Sequence, residues 1–564
     1  MSTRPFPFPF TLVTACLLAQ GALVAGCDDG NGNSGNGGEG GNGTGNNGSG
    51  ASGAGTIIGA GGGGVPIPST PSCEPAEGGS ATVQKPELLF KLADRYHEGW
   101  LASPAVADLD GDGKNEVVIA REERLLCFGP DGALKWMFEF ENRVWASPIV
   151  ADFRDGPELE IAFAARGQVH LLDAGGSELS GFPVSWDEEL RSLGAGDVDG
   201  DGQLDLVAAP GKSGPTDVMM AWHADGSVVA GFPPNEAGKS GCDDKCYLAG
   251  CYDQNIAVGD LDGDGKHDIV APHDNAYVSI HKGTGEAFDA NDIFEPAKTP
   301  GVRYLHDLEL AIQGYADDEE SALQAHFTNT APAIADIDDD GLYEIVMLGS
   351  VQNASQSDRY KGVGLWAVRA DASRIPGWEV PFHAPDYVEG LWDPGGNIVA
   401  ITNQVTVADI DAEKPGLEMI FIGFDGRVHA VAADNTQLWQ VGYTMSSDVM
   451  SAGVVVADLS GDGIPEIVLT TYSTSNDKSS LIVLDAGGNE LFKEPLPSRG
   501  SMAVPTLGDV DGDGTVDIVV NLKDAEDKVE LARVYRVPGS KTNCLLWPTG
   551  RANHLRNGWV TNKK

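Results

Sequence analysis

The chain has 564 residues, with 84 Asp plus Glu against 37 Lys plus Arg and a formal net charge of −47. Such a field repels phosphate backbones and anionic headgroups, which excludes nucleic acid as a partner recognised by general charge. Beyond the first 27 residues no apolar run is long enough for a transmembrane helix.

Residues 1–26 read as an export signal. Arg4 is their only charge, an apolar run extends from Thr11 to Ala25, and small residues precede the cut. Val24-Ala25-Gly26-Cys27 resembles a bacterial lipobox. The resemblance implies Cys27 as a lipidated first residue, anchoring the mature protein to the membrane in the cell envelope or at the cell surface. Simple secretion, with cleavage near the same point, is the alternative. Residues 27–72 are nearly all Gly, Asn and Ser, and such a composition predicts a flexible tether. The folded part is then 73–564.

One acidic pattern recurs through that part. Asp108, Asp110, Asp112 and Glu116 stand at positions 1, 3, 5 and 9 of a tight loop, with Gly at 6 and a β-branched run after it. The copies that follow are Asp197, Asp199, Asp201, Asp205; Asp260, Asp262, Asp264, Asp268; and Asp336, Asp338, Asp340, Glu344. Asp458, Ser460, Asp462, Glu466 and Asp509, Asp511, Asp513, Asp517 complete the set. Position 7 is chemically indifferent (Lys114, Gln203, Lys266, Leu342, Ile464, Thr515), as a backbone-carbonyl ligand would be. Calcium takes six to eight hard oxygens, which alternating acids in a tight loop supply. An EF-hand would need a bidentate Glu at position 12, where this chain has Ile119, Ala208, Ala271, Met347, Leu469 and Val520. Two worn copies start at Asp152 and Asp409 and are not expected to hold calcium firmly. There Arg154 or Lys414 offers the charge that a metal offers elsewhere.

Around each loop the parts keep one order: a small-residue strand, the loop, a β-branched strand, a third strand, a Gly turn and an aromatic-bearing fourth strand. Units of about 45 residues with four short strands predict an all-β fold, a β-propeller of four antiparallel strands per blade. Eight units, starting at 108, 152, 197, 260, 336, 409, 458 and 509, give eight blades by direct count. Seven with one irregular unit is the alternative. The ring could close with the strand after Pro86 or with Asn543–Trp547, and the pattern leaves both open.

Ile256-Ala-Val-Gly-Asp-Leu-Asp-Gly-Asp-Gly-Lys-His-Asp-Ile-Val-Ala-Pro272 resembles the FG-GAP (VCBS) repeat of integrin-α-type propellers, as does the run from Leu193 to Pro210. The likeness extends over most of 81–564. It implies calcium at about six places, held by the acids named above. It says little about function, because one fold hosts many.

Unit spacing swells to 63, 76 and 73 residues in the third to fifth intervals. The extra length falls near 241–251, 288–327 and 383–403, mainly between one blade's fourth strand and the next blade's first. Such connections share the face opposite the metal loops. Tyr304, His306, His383, Tyr387 and Trp392, with Trp100 and Trp145 at the same rim, are the candidate ligand-binding residues. Aromatic and acidic groups on long loops suit a glycan or protein ligand; capping of the loops' own small cores is the bland reading. The stretch from Asp317 to His326 reads as a short helix with acids in its first turn.

A Cys73–Cys544 bridge would join the two ends of the ring. Cys242, Cys246 and Cys251 read as a disulfide-pinned loop rather than a zinc site. No acid–base pair or nucleophile stands out. The expectation is a monomeric, envelope-anchored, calcium-binding propeller that recognises an extracellular glycan or protein without catalysis. The alternative is a polysaccharide-degrading enzyme similar in plan to the eight-bladed rhamnogalacturonan lyases.

Overall fold

Each acidic loop closes a hairpin, and the runs around it pair antiparallel in eight successive sheets of one computed structural model. The structure describes residues 65–561 apart from 95–97, 155, 187–188, 211–218, 235–255, 274–276, 287, 289–301, 304–323, 328–329, 353–360, 371–374, 389–402 and 527–529. The signal segment, Cys27, Cys242, Cys246, Cys251, Tyr304, His306 and Trp392 lie outside the described residues.

Blade one shows the plan, with strands Ala105–Ala107, Glu116–Arg121, Arg124–Phe128 and Leu134–Glu139 in hydrogen-bonded order. Blade three has three strands among the described residues, and blade five gains Gln324–His326 against the far end of Glu344–Gln352. The last residues of the expected helix are therefore strand. They pair with Ser350–Gln352 because that long strand offers free backbone groups beyond its inner partner. Among the described residues there is no helix. Blade eight is closed by the N-terminal strand Glu87–Ala93, which pairs with Glu530–Arg536. The ring thus closes with the strand after Pro86, and the eight-blade count holds.

Chemistry follows radius. Inner strands are short and small because eight of them converge: a Cβ on Gly508 of blade eight would stand 2.9 Å from Val106 of blade one. Second strands such as Glu116–Arg121 and Glu160–Ala165 are buried at every residue, being covered by a blade on each side. Fourth strands such as Leu134–Glu139 alternate toward solvent. Tryptophans stitch neighbours together: Trp136, Trp378 and Trp439 donate Nε1–H to the carbonyls of Ala174, Ala433 and Ala486 in the next blade's turn.

Asn543–Trp547 does not close the ring. It begins a segment that runs to Val560 and meets the inner edge of all eight blades. Val456 and Trp547 exchange backbone hydrogen bonds at 3.0 Å, and Leu507 N–H donates to Pro548. The amides of Val150, Ala195, Val258 and Ile334 donate to His554, Leu555, Asn557 and Gly558. Arg551 N–H reaches the Gln404 side chain beside blade six, and the Arg556 guanidinium reaches Pro104 O beside blade one at 2.7 Å. A chain that touches every inner strand lies along the axis.

Candidate functional site

The six complete loops share one hydrogen-bond pattern. The position-1 carboxylate accepts the position-6 amide at 2.8–3.0 Å in all six, from Asp108–Gly113 to Asp509–Gly514. The position-5 carboxylate accepts the amide of position 7, the backbone of Lys114, Gln203, Lys266, Leu342, Ile464 or Thr515. The position-9 acid accepts the amide of position 2, fastening the loop's start to its end. Gly at position 6 has φ between +83° and +89°, which a side chain resists. Ser460 at position 3 of its loop accepts the Asp462 amide, as Asp199 accepts the Asp201 amide, so that departure keeps the shape.

Pinned this way, four of the loops turn carboxylate oxygens toward one point. One atom from each of Asp108, Asp110 and Glu116 lies within 4.8 Å of the others, and the same holds for Asp197, Asp199, Asp205; Asp260, Asp262, Asp268; and Asp336, Asp338, Asp340. Asp197 Oδ1, Asp338 Oδ1, Asp511 Oδ1 and Asp517 Oδ1 are buried without a hydrogen-bond partner. Orphaned carboxylate oxygens facing other carboxylates fit a hard cation with oxygen ligands. Burial, then neighbouring carboxylates, pushes the position-9 acids up: Asp268 and Asp517 to about 7, Glu344 to about 7 and Glu466 to about 9. Asp205 rises to about 6, with His223 opposing the shift.

A further position faces these loops, and the sequence pattern did not point to it. The residue that ends or directly follows the third strand is His223, Lys282, Arg369 or Arg536 in blades three, four, five and eight. Their side chains contact Asp205 at 2.8 Å, Asp262 at 2.7 Å, Asp340 at 2.6 Å, and Asp511 with Asp513. In blade one Lys135, from the fourth strand, bridges Asp110 and Glu116 at 2.9 Å each. In blade seven that position is Asp485, which adds a negative charge beside Glu466. His267, at position 8 of its loop, is wedged between blades three and four. Its Nδ1 accepts the Asp197 amide at 3.0 Å, and its ring meets Trp559 edge-on.

In the worn loops the closing acids still pin the start, Glu160 to Phe153 and Glu418 to Ile410. The Arg154 guanidinium donates to the carbonyls of Ser180 and Ala224, and its positive charge opposes the upward shift that burial imposes on Glu160. An N-terminal strap crosses the loops of blades six and seven. Ser69 and Ser72 bind Glu413 and Asp409, and the amides of Cys73, Ala76 and Ala81 donate to Gly463, Gly461 and Ser460. The strap therefore begins within the segment read as tether. A Cys73–Cys544 disulfide joins it to the axial segment.

On the opposite face, Trp100 and Trp145 stand together, ring centroids 4.8 Å apart. Arg143 lies over both rings at 5.1 and 5.9 Å, Arg191 lies 4.3 Å over Trp145, and Lys523 Nζ lies 3.2 Å from the Trp100 centroid. Trp145 donates to Glu189. Glu98 pairs with Lys523 and Arg499, and Arg499 also pairs with Asp524. Burial pulls Lys523 down to about 8. His383 and Tyr387 belong to another arc of the ring, where His383 Nε2 sits 2.6 Å from the Lys361 carbonyl and Tyr387 packs on the core.

Fold and site together define an eight-bladed β-propeller with acidic loops on one face that can hold metal ions. No family model matches the chain, and no curated protein matches it. Among solved structures it is similar to a Bacillus licheniformis rhamnogalacturonan lyase: 14% identity, TM-score 0.46, 85% of this chain and 81% of that chain. It is also similar to the exotype rhamnogalacturonan lyase YesX, at 13%, 0.45, 84% and 80%. The V. cholerae biofilm matrix protein Bap1 matches at 15% and 0.32, over 81% and 82%. Likeness at this level carries no argument about ligand or activity; the architecture rests on the strand pairing itself.

Proposed function

We propose that this chain is an FG-GAP-type calcium-binding propeller, exported and lipid-anchored at Cys27, that recognises an extracellular glycan or protein through the face opposite its metal loops. What carries the reading is the repeated loop geometry, with carboxylates converging within 4.8 Å and buried oxygens left without partners. An all-oxygen donor set of that kind suits calcium. The ions stabilise the ring, and the tryptophan–arginine face does the recognition. Extracellular calcium modules bind at roughly 10⁻⁴–10⁻³ M, and a site saturated at tenfold its Kd adds about 1.4 kcal/mol to folding stability. Thermal melts in millimolar calcium and in chelator test this. A rise of several degrees with calcium is expected, and identical melting would refute the metal role.

The second reading, a polysaccharide lyase, draws on Lys523. Its lowered pKa beside Arg499 and Tyr472 is the kind of setting that a proton-abstracting base uses. Lys523 is only 2% exposed and paired with Glu98, which favours a structural role. Unsaturated products from pectic substrates would reverse that preference.

A further inference from the structure

Charge balance makes an arginine that is both exposed and without a carboxylate unusual on this chain. With 84 acids to 37 bases, an exposed guanidinium has carboxylates within easy reach. Lys135, Lys282, Arg369, Arg427, Arg499 and Arg536 are all paired with them. Arg143 and Arg166 are the contrast. Both are exposed, and among the described residues neither meets a carboxylate. Arg143 lies over Trp100 and Trp145, Arg166 donates to Asn142 at 3.0 Å, and the Arg166 amide donates to the Arg143 carbonyl. Arg191 also lies over Trp145, but it is paired with Glu189 at 3.1 Å and so belongs to the scaffold of the site.

A guanidinium stacked on an indole keeps N–H groups free for two-point contact with a planar oxyanion. Two neighbouring exposed guanidiniums, one of them stacked on the paired indoles, match a chain that alternates carboxylates with apolar ring faces. Resting on the recognition role proposed above, we infer that Arg143, shelved on Trp100 and Trp145, and Arg166 beside it form a binding site for a uronate-bearing polysaccharide. The uronate carboxylates pair with the guanidiniums, and the sugar rings lie along the half-buried edge of Trp100.

The test is calorimetric titration of the full chain at fixed free calcium with a short oligogalacturonate, its methyl-esterified counterpart and poly-glutamate. Arg143→Gln with Arg166→Gln, and each single change, are compared with the wild type and with Lys85→Gln, which removes one charge at an exposed pair elsewhere. Binding of the acid form is expected, weakened about tenfold or more by esterification and by the double arginine change, and unchanged by Lys85→Gln. Equal affinity for the ester, equal affinity of the double variant, or a preference for poly-glutamate would each overturn the uronate site. Tight binding of a neutral glycan by wild type and variant alike would overturn the site while sparing glycan recognition. Silence toward every glycan would remove both.

Discussion

Glu418 shows at the scale of one residue what a loop costs without a cation. It is fully buried, Oε2 accepts the amides of Ile410 and Asp411, and Oε1 has no partner. Burial and the nearby Asp409 push its carboxyl up to about 8. The unfolded value is near 4.3, so between about 4 and 8 the folded chain holds a proton that the unfolded chain has released. Stability is then greatest below that window and is lost as pH rises through it, at about 1.4 kcal/mol for each unit of separation. Glu418→Gln keeps the accepting oxygen and removes the ionisation. In chelator the variant should melt close to wild type near pH 5 and above it near pH 8.5. A variant less stable at both pH values would mean that the charge is used. The acids themselves were legible because all four of a loop fall within nine residues. Their counter-charges were not: His223 reaches Asp205 from 18 residues away, through a hairpin whose register no local pattern shows.

Between elements, several loops touch the loop of the neighbouring blade. The Leu159 amide donates to Leu109, His267 to Asp197 and Leu417 to Ile337, each from one loop to the previous blade's loop. Asn115 Nδ2 donates to Asp509 across the closure, and Lys266 Nζ donates to Asp199 O. These direct contacts predict that a shift in one loop on binding a cation is felt by its neighbour. His267 is the test position, since its backbone and its ring both hold the Asp197 strand end. At the sequence level it reads as a solvated residue, because nothing local shows that position 8 points into the gap between blades. His267→Ala should weaken calcium at two sites, the Asp197 and Asp260 loops, each by about tenfold, the size of a lost buried hydrogen bond. Calorimetric titration with calcium reads this as two equivalents moved to lower affinity. Movement of a single equivalent would show that the loops act alone.

For the whole molecule, eight blades leave an axis that side chains as small as Ala and Gly do not fill, and the C-terminal segment fills it. The blades were legible because each repeats one order of strand, loop and turn. The axial segment has no period, and its partners are backbone groups hundreds of residues earlier, so its sequence looked like one more strand. Arg556 is its rivet. Fully buried, it donates to Pro148 O and Pro104 O of blades two and one, and to Thr549 and Gly550 of its own segment. Arg551 does the same between Leu193 O and Ile256 O of blades three and four. Among the described residues neither pairs with a carboxylate, so neutral carbonyl and hydroxyl oxygens solvate two cations, and burial draws Arg556 down to about 9. Removing the donor takes the guanidinium from Pro148 O and Gly550 O, at about 1–3 kcal/mol for each buried group, while Pro104 O keeps the Thr506 hydroxyl. Arg556→Met matches the length and drops the donors, so the loss should exceed about 3 kcal/mol, read as a lower urea midpoint with an unchanged slope. The Cys73–Cys544 bridge holds the start of the segment in either case, so the variant should still close its ring. A midpoint equal to wild type would mean that water replaces the guanidinium along the axis, and the segment would be packing rather than a tie between blades.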